Sequence, residues 1–464
     1  MNELKLTFYH QCTEPYFDER DGTVKRSVFV TRTARLLEID ETTWQAISCG
    51  ALKNLEESHI EYLFAAELLV SNDENELELI LSQNDNAAQN PRTLYQVIQP
   101  SANCQLGCWY CPQKHFSGQL SNENQDLLVE RIHNKLKNGS YEEIEVCWFG
   151  AEPIMGLPTI RSLSPRLQAL AADFKIKYKS KMVTNGLALT EEVATELVTS
   201  FQVGFFEVTI DGTGEHHDAV RHTKSGRPTF KRILDNVVNF AKRDDLDAAI
   251  SVRCNVDHAN RDGVTPLIRM LADAGVQDRV AKFYISPIYN WGDNDAGDSN
   301  APRQQFSEWE VEWFVELIRL GFNVSLLPQR NRINCLAMRP DADLVDPNGV
   351  LFNCTEVSLI PGYEAPGKSA LPIIDQREAA AVANIHSIGT LRGGVDDTKR
   401  ETLQSFHDHV RNGEFDCPTC PMLPVCGGAC PKQWLEGTLP CPTTKFNIEQ
   451  RMLLALASRR LTEV

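Results

Sequence analysis

Three cysteines within eight residues constrain this chain more than any other feature. Cys104, Cys108 and Cys111 lie in the run NCQLGCWYCP, Asn103 to Pro112, at the spacing C-x3-C-x2-C. Three thiolates on one tight loop can hold three irons of a [4Fe–4S] cube, whereas an ordinary cube takes four cysteines. No fourth cysteine follows until Cys147, so one iron is left for an exogenous ligand. Gly107 gives the loop conformational freedom that a side chain would restrict. The competing reading is a partial zinc site, but zinc favours C-x2-C pairs in twos and four ligands.

A second group sits far downstream: Cys335, Cys354, Cys417, Cys420, Cys426, Cys430 and Cys441. The order is C-x13-G-x4-C, with Gly349 as the glycine, then C-x2-C-x5-C-x3-C, then a last cysteine. The stretch FDCPTCPMLPVCGGACPKQW, Phe415 to Trp434, is rich in Pro and Gly and reads as a loop held by metal. Seven ligands in this order fit two further cubes better than zinc knuckles. The remaining cysteines are Cys12, Cys49, Cys147 and Cys254; Cys147 and Cys254 fall inside apolar strands and read as packing. Fourteen cysteines in a chain without a secretory signal point to metal ligation rather than disulfides.

The rest of the composition narrows the class. The 464 residues are enough for about three domains. A formal net charge of −17 would repel a phosphate backbone, which argues against nucleic acid as a partner. No apolar run reaches the roughly 18–20 residues of a membrane span. Met1 to His10 lacks a basic segment followed by an apolar one. The expectation is a cytoplasmic protein with no membrane role.

At this point the sequence resembles the radical S-adenosylmethionine (SAM) enzymes with a C-terminal SPASM domain, over about residues 95 to 445. Further markers appear in the family's order. Phe149-Gly150-Ala151-Glu152-Pro153 resembles the G-G-E-P motif, with Ala151 in place of the second glycine. Thr184-Asn185-Gly186 matches T-N-G, Thr209-Ile210-Asp211-Gly212 resembles S-I-D-G, and His217-Asp218-Ala219-Val220-Arg221 matches H-D-x-x-R. Each alone is more often just a turn; their joint order makes the resemblance specific. Strands are expected at 94–99, 143–149, 178–183, 205–210, 248–256 and 281–288, with helical periodicity at 125–136, 191–201, 230–241, 264–274 and 307–320. Six βα units fit the family's α/β fold, an open (β/α)6 TIM-like partial barrel.

The resemblance implies three domains: an N-terminal α+β segment (1–93), the barrel (94–322) and a SPASM domain (323–464). It implies three [4Fe–4S] clusters and SAM. Cys104, Cys108 and Cys111 would hold the cluster whose open iron takes SAM's amino and carboxylate groups. Reductive cleavage of SAM would then yield a 5′-deoxyadenosyl radical that abstracts hydrogen. Gly150, Ala151 and Glu152 would meet SAM's amino group, largely through backbone, and Arg221 its carboxylate. Thr184, Asn185 and Asp211 would lie near the ribose, and Tyr110 beside the adenine. Cys417, Cys420, Cys426 and Cys441 would hold an outer auxiliary cluster, and Cys335, Cys354 and Cys430 an inner one. One auxiliary iron then lacks a motif ligand. Cys12, Cys49, Cys147 and Cys254 remain as candidates for it, as do an Asp, Glu or His side chain or a substrate thiolate, and the expectation is an open or non-cysteine site.

Ahead of the barrel, 28–40 reads as a strand or hairpin with basic positions Arg32 and Arg35. Residues 41–49 and 56–70 read as helices, 76–81 as a short strand and 82–91 as a linker. Such a unit resembles the leader-binding modules of peptide maturases, which take a precursor peptide as an added strand; a plain packing cap is the alternative. The function implied is modification of a ribosomally made precursor peptide by crosslinking or oxidation, with an external one-electron reductant such as flavodoxin or ferredoxin. The other readings are a small-molecule radical dehydrogenase, a sulfatase maturase and a non-catalytic zinc scaffold. Sulfatase maturases commonly place an Asp after the second SPASM cysteine; here that position is Thr355, then Glu356. Asp257, Tyr289, Trp291 and Asp293 follow late strands, where substrate contacts are expected. If the cluster reading holds, anaerobically reconstituted protein is brown with about twelve irons per chain; a colourless zinc protein would contradict it.

Overall fold

The computed structural model describes residues 3–292, 301–364 and 384–462. Chain order begins with β1 (Leu4–Leu6), β2 (His10–Cys12), β3 (Tyr16–Asp18), β4 (Thr23–Val30) and β5 (Arg35–Asp40). Helices α1 (Glu41–Ser48) and α2 (Glu57–Ala65), strand β6 (Leu69–Ser71) and helix α3 (Glu76–Gln89) follow. The hairpin expected near Val28 is β4–β5, with β4 starting earlier; β2 and β3 pair β4 on its other edge. The helix expected to reach Val70 stops at Ala65, and Leu69–Ser71 pairs antiparallel with β1 instead.

The expected strand at 76–81 and linker at 82–91 are both corrected by α3. Asn75 caps it by accepting from the Glu78 N–H, and Glu76 and Glu78 sit in the first turn, where the helix dipole favours anions. Ile80, Leu81, Asn84 and Ala88 form its buried stripe at helical spacing. The polar residues between them hide this period. The helix ties the N-terminal unit to the C-terminal segment: Arg411 pairs with Glu78 and Asp85, and His407 with Asp85. Phe29 of β4 packs among Met422, Val425, Ile448 and Met452.

The central sheet begins at β7 (Thr93–Ile98), followed by α4 (Asn122–Asn138), β8 (Glu143–Trp148), α5 (Leu157–Asp173), β9 (Lys177–Thr184), α6 (Glu191–Thr199) and β10 (Val203–Thr209). Next come α7 (Gly214–Val220), α8 (Phe230–Ala241), β11 (Ala249–Val256), α9 (Val264–Asp273), β12 (Val280–Pro287) and α10 (Arg303–Arg319). Strands β7 to β12 are parallel and lie side by side in chain order. The protein is therefore a mixed α/β fold with the expected strand–helix alternation. Helix α5 was not anticipated, because Pro158 and Pro165 interrupt its pattern. Pro158 falls in the first turn, where a missing N–H does no harm. Pro165 is carried in the interior because Ile160, Leu163 and Leu167 are buried.

The sheet's two faces differ. Ile144, Val146, Trp148, Met182, Phe206, Val208, Ile250 and Val252 face the helices and form the main core with Leu128, Ile132, Leu163, Val237, Leu267 and Leu317. Truncating one of the larger of these to Ala should cost about 3–5 kcal/mol. The opposite face is mixed: Val97 and Cys147 pack there against Leu336 and Phe352 of the C-terminal segment, and the remainder is polar, unlike a parallel sheet covered on both sides. It carries cross-strand ion pairs: Lys179–Glu143 at 2.6 Å, Lys181–Glu145 at 2.7 Å and Arg253–Glu207 at 3.5 Å. That polarity is what a water-lined interior requires.

The C-terminal segment continues the same sheet. β13 (Asp343–Val345) pairs parallel with β7, and β14 (Val350–Phe352), β15 (Gly389–Thr390) and β16 (Gly394–Val395) extend it antiparallel. Helices α11 (Asp397–Gln404), α12 (Phe406–Arg411), α13 (Leu423–Cys426), α14 (Pro431–Leu435) and α15 (Thr444–Thr462) complete the chain. No helix among the described residues is long and apolar enough to cross a membrane.

One buried charge locks this joint. The Asp343 carboxylate receives Arg131 at 2.6 Å and Lys135 at 2.9 Å from α4, and Arg400 at 3.4 Å from α11. Burial alone would raise this carboxyl, but Lys135 and Arg131 together hold it well below the ordinary range. Its contribution is fully present above the unfolded pKa, about 4, and is lost as pH falls through the depressed folded value. Asp343→Asn strands three cations and should cost about 3–5 kcal/mol by urea unfolding at pH 7. The gap to wild type should narrow as the pH drops below about 4.

Candidate active site

All the chemical markers lie just beyond the C-terminal ends of strands β7 to β10, the end at which α/β barrels place their sites. The first three thiols sit on the long loop after β7. That loop is pinned from several sides. The Glu152 N–H donates to the Asn103 carbonyl at 3.1 Å and the Gly107 N–H to the His222 carbonyl at 2.9 Å. The Lys224 N–H donates to the Gln105 carbonyl at 3.0 Å, and Leu106 bridges Thr223 in antiparallel fashion. Gly107 is not in the left-handed region, and a Cβ there would meet the Lys224 Cα at an ordinary 3.6 Å, so neither backbone conformation nor space requires glycine at this position.

Cys104, Cys108 and Cys111 all open onto one cavity of about 400 Å³. Burial lifts the Cys104 thiol to about 12, with Glu152, Cys108 and Cys111 adding to it. Burial and then Cys108 lift Cys111 to about 11. Such mutual destabilisation of thiolates is what a cation bound among them would relieve.

Gly150, Ala151, Thr184, Asn185, Tyr110 and Arg221 also line the cavity. Gly150 has φ +81°, and a Cβ there would come within 2.7 Å of the Gln99 side chain. Ala151 follows at φ +45°, a left-handed conformation that a side chain disfavours. Glu152 itself stands behind the wall. Its carboxylate accepts from the Thr184 hydroxyl at 2.7 Å, the Asn185 N–H at 2.7 Å and the Ile154 N–H at 3.0 Å. It therefore sets the T-N-G turn, and burial raises its carboxyl above the usual range despite those donors.

Asp211 is likewise behind the wall. It accepts from the Tyr110 hydroxyl at 2.6 Å and the Asn255 N–H at 2.8 Å. The Arg221 Nη1 donates to the Tyr110 oxygen at 2.6 Å, and its Nε lies 3.8 Å from Asp211 but is buried without a hydrogen-bond partner. An unsatisfied guanidinium N–H in the cavity wall is suited to a carboxylate. Burial raises Asp211 even with Arg221 against it. The other H-D-x-x-R residues are structural. His217 is kept neutral, its pKa pushed down to about 2 by burial, and accepts from the Asp211 N–H. Asp218 accepts from the Thr229 and Phe230 N–H groups at the start of α8.

The seven downstream cysteines fall into two sets. Burial lifts Cys417 to about 12, and Cys426, Cys420 and Cys441 add to it; Cys426 responds likewise to Cys420 and Cys441. Separately, burial raises Cys354, with Glu356, Cys335 and Cys430 adding to it. Burial and then Cys430 take Cys335 to about 12. Among the described residues no group of three or more His, Cys, Asp or Glu side chains is placed to hold a metal ion. Cys147 and Cys254 are buried in strands, as expected; Cys12 is partly buried and Cys49 exposed.

The remaining cavity wall held surprises. Arg253, Asn255, Tyr284 and Ser286, alternate residues of β11 and β12, line it together with Gln113, His115, Thr355 and Glu356. Polar residues at every second position of apolar strands were the available signal. Tyr289 and Trp291 line it as expected. Asp257 instead caps its own turn through the Ala259 and Asn260 N–H groups, and Asp293 lies outside the described residues.

The radical SAM superfamily matches residues 98–245. The chain carries a radical SAM domain. That domain spans the pinned loop, the G-A-E-P turn and the Arg221 network. The serine-type anaerobic sulfatase-maturating enzyme of Bacteroides thetaiotaomicron is 27% identical over 389 residues, covering 75% of this chain and 84% of that protein. Radical SAM cyclopropyl synthase TigE of Paramaledivibacter caminithermalis is 22% identical over 223 residues, 44% of this chain and 46% of that one. Among solved structures, native anSMEcpe with bound AdoMet and Kp18Cys peptide has a TM-score of 0.54 at 16% identity, covering 80% of this chain and 98% of that one. Streptococcus suis SuiB bound to S-adenosylmethionine has a TM-score of 0.50 at 12% identity, covering 90% and 95%. The structural likenesses show a shared fold. Arg221→Lys keeps the charge but loses the fork; SAM affinity of the radical SAM domain, by equilibrium dialysis, should fall about 10- to 100-fold with iron content unchanged.

Proposed function

We propose that this chain is a cytoplasmic radical SAM peptide maturase that abstracts hydrogen from a ribosomally made precursor peptide and leaves a crosslink or oxidised residue. The observation that carries the proposal is the single cavity in which Cys104, Cys108, Cys111 and Arg221 share a wall with Tyr284, Tyr289, Trp291 and Glu356. One side suits a cluster with SAM, and the other is shaped by aromatic and polar side chains for a substrate. In this reading β7 to β12 form the partial barrel, 1–93 a leader-binding segment and 323–464 the SPASM domain.

The residues present suit the implied groups. Cys104, Cys108 and Cys111 would hold the SAM cluster, and the outer and inner cysteine sets the two auxiliary clusters. When bound, cluster and SAM supply a primary carbon radical able to take hydrogen from an unactivated C–H bond. Arg221 offers its unpartnered Nε to the SAM carboxylate, and the Gly150–Ala151 turn its backbone to the amino group. Thr184 and Asn185 are fixed by Glu152 for the ribose. Tyr110, its hydroxyl held by Asp211 and Arg221, keeps its ring at the cavity for the adenine. The apolar residues Ile288 and Ile360 narrow the water content of the substrate side.

Glu356 stands in this wall with the Thr355 hydroxyl donating to it at 3.0 Å. It is the carboxylate placed to take the proton released as the substrate is oxidised. The outer edge of β5 pairs with no strand among the described residues, and it is where an extended leader would add. A peptide substrate is also supported by the fold shared with anSMEcpe, which was solved with a bound peptide.

Maturation of a sulfatase is the second reading, favoured by the Bacteroides relative; it too removes hydrogen from a peptide. The small-molecule dehydrogenase and the zinc scaffold fit less well. Co-expression with short peptides encoded beside this chain, followed by mass spectrometry, tests the proposal. A peptide lighter by two hydrogens is expected, with the loss abolished in Cys104→Ala. Unmodified peptides together with a modified sulfatase would select the second reading.

A further inference from the structure

We propose that Trp109, Lys114, Lys224 and Arg227 form the docking face for an acidic one-electron carrier protein that reduces the cluster loop. The proposal rests on the function just described, since a cluster held by Cys104, Cys108 and Cys111 must receive its electron from outside.

The first observation is a local reversal of charge. The chain's formal net charge is −17, yet residues 99–122 and 219–234 contain no Asp or Glu. These two segments are the ones zipped together at the cluster loop, through the Leu106–Thr223 bridge and the flanking backbone hydrogen bonds. Lys224 is thereby held against Gln105 and Gly107, between the first two thiols. Lys114, Lys224 and Arg227 are all exposed, and none is ion-paired among the described residues. The acids that flank the two segments are occupied: Asp218 caps α8, Asp235 pairs with Lys231 and Glu123 with Arg392.

The second observation is Trp109. It lies between Cys108 and Cys111, is 37% exposed, and is absent from the cavity wall that its neighbours Cys108, Tyr110 and Cys111 share. Its ring meets the Tyr110 ring edge-on at 6.0 Å. Trp109 follows on from Gln105 and Gly107, against which Lys224 lies, so an exposed aromatic and unpaired cations share one loop cluster on an acidic protein, which marks an interface rather than a solvated face. It also puts protein surface next to Cys108 and two residues from Cys111. An acidic carrier is steered to such a patch by charge complementarity, while other acidic proteins are repelled by the rest of the surface. The step is a single electron transfer: the carrier's reduced flavin or iron–sulfur centre loses one electron, the cluster gains it, and no bond or proton moves between the proteins.

The test compares two reductants on the reconstituted full chain, reading 5′-deoxyadenosine release. In the double variant Lys114→Glu, Arg227→Glu, release driven by photoreduced flavodoxin should drop in kcat/KM by about tenfold or more and lose much of its salt dependence. Dithionite, which needs no docking, should drive the variant as fast as wild type. Should the double variant not fold, the neutral pair Lys114→Gln with Arg227→Gln reads the same quantity, with a drop of about threefold expected. Flavodoxin-driven release equal to wild type in either variant overturns the proposal, even if binding of nucleic acid or anionic vesicles falls. Wild type that releases nothing with dithionite refutes the proposed function itself, and this inference with it.

Discussion

Everything at the site depends on the backbone clamp that holds the loop from Asn103 to Cys111. Burial raises the Cys104 and Cys111 thiols, so bringing them to the thiolate form that holds a metal costs free energy unless a cation is bound. The loop is held in place by the Gly107 N–H, which donates to the His222 carbonyl, and by the Lys224 and Glu152 N–H groups, which donate to the loop's own Gln105 and Asn103 carbonyls. The clamp draws on two different strand ends, β8 through Glu152 and β10 through 222–224. The six parallel strands thus matter for function chiefly by bringing those ends side by side. Glu152 has a double part, since its N–H holds the cysteine loop while its carboxylate holds Thr184 and Asn185.

The second theme is the use of buried charge. Asp343 joins sheet, α4 and α11 with three cations on one carboxylate. Asp211, Arg221 and Tyr110 sit elsewhere, with the Arg221 guanidinium in the wall of the cavity that the first three cysteines share. Both networks leave a buried polar atom without a hydrogen bond, Asp343 Oδ1 and Arg131 Nε in one and Arg221 Nε in the other. What separates the joint of the sheet from the site is therefore position: only the Arg221 guanidinium faces the thiol-lined cavity.

The first cysteine triplet was legible because its spacing puts three thiols on one loop, and all three line one cavity. The six strands were legible because their helix-facing residues are continuously apolar. Helix α3 was not, since Asn, Gln and Asp on its solvent face mimic a linker while Ile80, Leu81 and Ala88 make the buried stripe. Helix α5 was hidden by Pro165. Arg253 and Tyr284 were invisible as site residues because no motif surrounds them; only the polar inner face of the folded sheet gives them meaning. Within H-D-x-x-R, sequence could not tell that His217 and Asp218 brace the turn and leave Arg221 alone at the cavity.

The most direct measurement of the central claim is dithionite-driven cleavage of SAM by the anaerobically reconstituted chain, compared between Cys108→Ala and Cys254→Ala. The account predicts cleavage by wild type and by Cys254→Ala, whose thiol lies in the strand interior, and none by Cys108→Ala. Cleavage that survives in Cys108→Ala, or that wild type never shows, would contradict it.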